Sequence, residues 1–69
     1  MTRWTVFGAG PIGRAIALLA GQSGEVTLVS RSGSGPDVPG VGRVAADASD
    51  GEQVGAAARS ADVIVNALN

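Results

Sequence analysis

The sequence predicts an α/β fold, a parallel sheet covered by helices on both faces in three layers, and three observations predict it. Short apolar and β-branched runs alternate with segments of helical periodicity. One of those runs ends in a glycine-rich turn, Gly8-Ala9-Gly10-Pro11-Ile12-Gly13, that opens a helix. Strand, helix and next strand fit within about thirty residues, the length of one right-handed βαβ unit.

The elements follow in order. Arg3 to Phe7, with Trp4, Val6 and Phe7 as β-formers, reads as a strand that stops at Gly8. Pro11 suits the first helical position, where its missing N–H costs nothing. From there to about Gln22 the apolar residues Ile12, Ala15, Ile16 and Leu19 recur at helical spacing, so that face is expected to cover the sheet. Gly21 and Gly24 are expected to let the chain leave the helix. Glu25 to Ser30 is a second strand, and Arg31 to Gly42, rich in Ser, Gly, Pro and Asp, predicts a loop in place of a second crossover helix. A short third strand runs from Arg43 to Ala46 and is closed by Asp47. Ser49-Asp50-Gly51-Glu52 matches a capping box for a helix reaching about Ser60, with Val54, Ala57 and Ala58 turned inward. Asp62 to Ala67 is a fourth strand, apolar through its middle as parallel strands covered on both faces are. The order β-α-β-β-α-β predicts a Rossmann-like sheet with strands in the order 3-2-1-4 and a ligand crevice where the order reverses, between the first and fourth strands. The fourth strand should be central in a complete sheet. Residues 1–69 are therefore expected to be the N-terminal, incomplete part of such a domain, with an exposed fourth-strand edge through which copies can associate.

Composition narrows the function. The chain has 69 residues, a net charge of −1, and neither Cys nor His, so disulfides and the usual nitrogen or sulfur metal ligands are excluded. Its five basic residues, all Arg, are spread along the chain. That argues against nucleic acid or an anionic membrane as a partner, since both call for a clustered basic patch. No apolar run is long enough to span a membrane, and the N-terminus enters a strand at once, so a soluble, cytoplasmic protein is expected.

The glycine turn carries the chemistry. At a strand-to-helix junction, Gly8 allows the tight turn, Gly10 lets a pyrophosphate approach the backbone without a Cβ in the way, and Gly13 lets the helix pack on the strand. Amides at the helix N-terminus hold the anion. In sheets specific for NAD an acidic residue ends the second strand and binds the ribose 2′-OH. Ser30 stands there, followed by Arg31 and Ser32, a guanidinium and hydroxyls that suit a 2′-phosphate, so NADP is expected over NAD. Arg31 as a solvated loop residue is the competing reading. Arg14 reads equally as a phosphate partner or a solvated side chain, and Trp4 as sheet packing, since one aromatic is too few for a base-stacking platform.

On four stretches the chain resembles the short-chain dehydrogenase/reductase superfamily, in particular its atypical or extended members of the NAD-dependent epimerase/dehydratase type. These are Gly8-Ala9-Gly10-Pro11-Ile12-Gly13-Arg14, Val29-Ser30-Arg31, Asp47-Ala48 and Asn66-Ala67. The resemblance implies that Asp47 and Ala48 lie against the adenine and that Asn66, Ala67 and Leu68 line the crevice beside the cofactor ribose. The residues alone leave Asp47 and Asn66 equally readable as strand terminators. Phe7 departs from the extended members' pattern by standing where their first glycine falls, and the turn is equally similar to that of ordinary Rossmann dehydrogenases. The superfamily's Tyr-x-x-x-Lys has no counterpart, because the chain lacks both Tyr and Lys. With no His or Cys either, no usual proton-transfer group is present, and the chain alone is expected to be inactive. Two functions fit: the cofactor-binding part of an NADP-dependent oxidoreductase or nucleotide-sugar epimerase, or a non-catalytic NADP-binding redox sensor.

Overall fold

The computed structural model describes residues 2–36, 38–47 and 49–67. Its elements are β1 (Thr2–Phe7), α1 (Pro11–Gly21), β2 (Gly24–Ser30), β3 (Val41–Ala45), α2 (Gly51–Ala58) and β4 (Val63–Asn66). The strands are all parallel and lie in the order β3-β2-β1-β4, the predicted topology of a partial Rossmann-like α/β sheet. Among the described residues no helix is long and apolar enough to cross a membrane.

Alternation along the strands divides the sheet into two faces. Val6, Val26 and Leu28 meet Ala17 and Ala20 of α1 in the core, with Trp4, Val41 and Val65 packed at its margin. Val6 and Leu28 are fully buried, each contributing about 1.5–3 kcal/mol of apolar transfer. Thr5, Phe7 and Val29 turn to the opposite face, where the Thr5 hydroxyl donates to the Ala57 carbonyl of α2 at 3.3 Å.

Helix α1 does not present the face that its large apolar residues predict. Gly13, Ala17 and Ala20 are buried, Ile16 is half-buried, Ala15 is exposed, and Ile12 and Leu19 are 67% and 68% exposed. Gly13 is the reason. A Cβ there would run into the Gly8 carbonyl, so the helix lies closer to the strand end than Ile or Leu side chains permit. The small residues four and seven positions on follow Gly13 down to the sheet. The helix exit also differs. Gly21 and Gly24 have no positive φ, and the chain leaves through an ordinary right-handed turn at Gln22. These two glycines serve close packing instead, since a Cβ on Gly24 would strike the Thr2 carbonyl and one on Gly21 would lie 3.1 Å from Val41 Cγ2.

The β2-to-β3 connection crosses the α1 face with no helix among its described residues, as its Gly/Pro content predicts. Gly35 passes over the side chains of Leu28 and Arg43. Pro39-Gly40 then makes a turn closed by the Val41 N–H donating to the Val38 carbonyl at 3.3 Å. Gly40 has φ 87°, which favours glycine, and its carbonyl accepts from the Val26 N–H at 2.8 Å, so the turn delivers β3 into register. Strand β3 consequently begins at Val41, two residues ahead of the sequence expectation.

The cap of α2 is displaced by one residue from the predicted box. Asp50, not Ser49, is the N-cap, and its Oδ1 accepts from the N–H groups of Glu52 and Gln53 at 3.0 and 3.4 Å. Ser49 is already engaged by Asp47. Val54, Ala57 and Ala58 are half-buried and no residue of α2 is fully buried. Strand β4 likewise is not covered on both faces: it is a sheet edge, and Ile64 is 56% exposed on the α2 side.

Candidate functional site

The carboxyl ends of the parallel strands bring the predicted site residues into two neighbouring groups. The first surrounds the glycine turn. Gly8 is buried with φ 110°, and its N–H donates to the Val29 carbonyl at 2.8 Å, which joins the end of β1 to the end of β2. Ala9 is half-buried against the core margin. Gly10 is the exposed N-cap of α1, and its carbonyl accepts from the Arg14 N–H at 2.9 Å. Pro11 and Ile12 form the exposed first turn.

Arg14 has a local partner. Its Nε donates to the Ala9 carbonyl at 2.7 Å, so the guanidinium braces the turn from within while its side chain remains exposed. Across the crevice, Asn66 stands opposite Phe7 in the β1–β4 register, and the Ala67 N–H donates to the Phe7 carbonyl at 2.8 Å. The Ala67 methyl would lie 3.5 Å from a Cβ on Gly13. The turn, the start of α1 and the end of β4 thus meet where the strand order reverses. Leu68 and Ala48 lie outside the described residues.

The second group sits at the ends of β2 and β3. The Ser30 hydroxyl donates to the Ser34 carbonyl at 3.4 Å and the Ser32 hydroxyl to Ser34 Oγ at 3.0 Å, so the loop curls back just after the strand. Arg31 extends from this curl, largely in solvent, with Nη2 4.0 Å from Asp47 Oδ1. That carboxylate also accepts from the Ser49 N–H at 2.9 Å and the Ser49 hydroxyl at 2.7 Å. These two bonds, the backbone one foremost, together with the Arg31 charge, hold the Asp47 carboxyl below its ordinary value.

Sequence reasoning missed Gln53. Its Oε1 accepts from the Asp47 N–H at 2.8 Å while its Nε2 donates to Asp50 Oδ2 at 3.1 Å, which ties the end of β3 to the start of α2. The signal was present as Asp50-Gly51-Glu52-Gln53, an acidic cap with an amide at the third helical position.

The two helix starts have opposite character. Helix α2 is closed by its own anion, Asp50, with Glu52 in the first turn. Helix α1 has no side-chain cap and no acid in its first turn, so its positive end is directed at whatever occupies the crevice. Comparisons of the chain with protein-family models, with curated proteins and with solved structures find no match.

Proposed function

We propose that this chain binds a dinucleotide, NADP in preference to NAD, as the cofactor-binding part of a cytoplasmic NAD(P)-dependent oxidoreductase or nucleotide-sugar epimerase. The pyrophosphate would rest on the first turn of α1, and Ser30, Arg31 and Ser32 would take the 2′-phosphate. The bound cofactor would supply hydride chemistry, while this chain's residues bind and orient it.

One observation carries the reading. The fold itself requires glycine at two of the three motif positions, Gly8 for its φ of 110° and Gly13 for its contact with the Gly8 carbonyl. It does not require glycine at position 10, where φ is −71° and a Cβ would meet no atom of the described residues within 4 Å. Gly51 and Gly55 are equally open, but they belong to a helix whose N-terminus is already capped. At Gly10 the empty space adjoins uncapped amides, and a phosphate is the group that needs both.

Substitution separates fold from binding here. Gly10→Val is expected to cost only about 1 kcal/mol of stability, the scale of an N-cap exchange, yet to abolish binding of NADPH measured by calorimetry. Gly13→Ala is expected to cost about 1–3 kcal/mol by overpacking, read from urea unfolding. Unchanged NADPH affinity in Gly10→Val would refute the phosphate site.

A further inference from the structure

We propose that Asp47 sets the dinucleotide preference of this site by competing with a 2′-phosphate for Arg31, an inference that rests on the dinucleotide reading above. The juxtaposition follows from strand register. Ser30 pairs with Ala45, and the Ala46 N–H donates to the Ser30 carbonyl at 2.9 Å, so β2 and β3 end side by side. Arg31 follows Ser30 directly, and Asp47 follows Ala46. Their side chains stand 4.0 Å apart.

The two partners differ in freedom. Asp47 Oδ1 is held by both donors of Ser49, and its own N–H is held by Gln53, so the carboxylate is a fixed anion. The Arg31 side chain is 87% exposed and makes no hydrogen bond among the described residues, so it is the partner with more freedom to move. A phosphate taken by the guanidinium shares that cation with the carboxylate and lies within a few ångströms of it. Like charges at that separation repel, and a dianion is penalised while a ribose hydroxyl is not. Asp47 therefore lowers the NADP preference that Arg31 creates.

This reading and the adenine contact implied by the family resemblance predict opposite results. An adenine contact serves NADPH and NADH alike, so its loss weakens both. Competition for Arg31 acts on the phosphate alone. In Asp47→Asn the amide oxygen can still accept from Ser49, so the turn is retained while the charge is removed.

Calorimetric titration of NADPH and NADH into the wild type, Asp47→Asn, Arg31→Ala and the double variant tests it, beside an NMR titration of the Asp47 carboxyl in the wild type and Arg31→Ala. Asp47→Asn is expected to bind NADPH roughly three- to tenfold more tightly at moderate salt, leave NADH unchanged, and show no gain once Arg31 is Ala. Arg31→Ala is expected to raise the carboxyl's titration midpoint. Equal weakening for both dinucleotides, or no change for NADPH, overturns the proposal. A carboxyl midpoint indifferent to Arg31→Ala, with both dinucleotides still bound, overturns the pairing alone. A wild type that binds neither dinucleotide, while its carboxyl still responds to Arg31→Ala, overturns the dinucleotide reading and this inference with it.

Discussion

At Asp47 a single carboxylate oxygen accepts from two donors, the N–H and hydroxyl of Ser49, and faces the Arg31 guanidinium 4.0 Å away, and this sets the direction of its protonation shift. Hydrogen bonds to the charged form and a nearby cation both favour ionisation. The folded state thus binds its proton more weakly than the unfolded chain does. The stabilisation is complete above the ordinary carboxylate value and is lost as pH falls through the lowered folded value. An NMR carboxyl titration is expected to place Asp47 below the usual carboxylate range, and Ser49→Ala to move it upward, because the backbone donor remains while the hydroxyl is removed. A midpoint that ignores Ser49→Ala would show that the hydroxyl bond is not populated. At the same scale the three motif glycines divide their labour: Gly8 bends the chain, Gly13 admits the helix, and Gly10 keeps a space that none of the described residues fills.

Among the elements, α2 depends most on its cap, because it is eight residues long and has no fully buried residue to anchor it. Asp50 satisfies two first-turn amides and also accepts from Gln53 Nε2, while Gln53 Oε1 accepts from the Asp47 N–H just past β3. Asp50→Ala is expected to cost about 1 kcal/mol in urea unfolding, and Ser49→Ala distinctly less, since only the former removes the cap. Equal losses would restore Ser49 to the capping role that the sequence suggested. That misreading is instructive. Ser49-x-x-Glu52 and Asp50-x-x-Gln53 both satisfy the capping pattern, and what decides between them is Asp47, which occupies Ser49 from two residues upstream. The strands, their order and the glycine turn were legible because each depends on local pattern: β-branched runs, the Gly8 and Gly13 spacing, and the Gly/Pro content of the crossover. The buried face of α1 was not, because hydrophobicity marks Ile12 and Leu19, whereas closest approach at Gly13 selects Ala17 and Ala20. Gly8 through Arg14 form the turn and helix start that the spacing predicts, and β2 ends at Ser30 as read, while β3 ends at Ala45, one residue before the expected Ala46. Gln53 and the Arg31–Asp47 pair depend on strands meeting in register, which spacing along one chain does not reveal.

At the scale of the molecule the sheet has two unequal faces. Helix α1 and the crossover loop cover one, while on the other α2 lies over Thr5 and leaves Val44 and Ile64 exposed on opposite edge strands. An open parallel edge presents backbone donors and acceptors to any other strand, and β4 carries no Lys, Arg, Pro or acidic residue that would discourage pairing. Its most exposed apolar side chain, Ile64, stands on the thinly covered face, so pairing at β4 would also bury it. The chain is therefore expected to associate reversibly through β4, with apparent mass rising from low to high micromolar concentration in sedimentation equilibrium. Ile64→Lys places a charge on that edge without touching the core of Val6, Ala17, Ala20, Val26 and Leu28. It should shift the protein toward monomer while leaving its circular dichroism unchanged. The exposed α1 residues supply the control: if Leu19→Lys disperses the protein and Ile64→Lys does not, association runs through the outer face of α1 and the β4 edge is not the contact. A wild type that stays monomeric throughout that range would mean that the short edge, only four residues long, offers too few backbone bonds to hold a second chain.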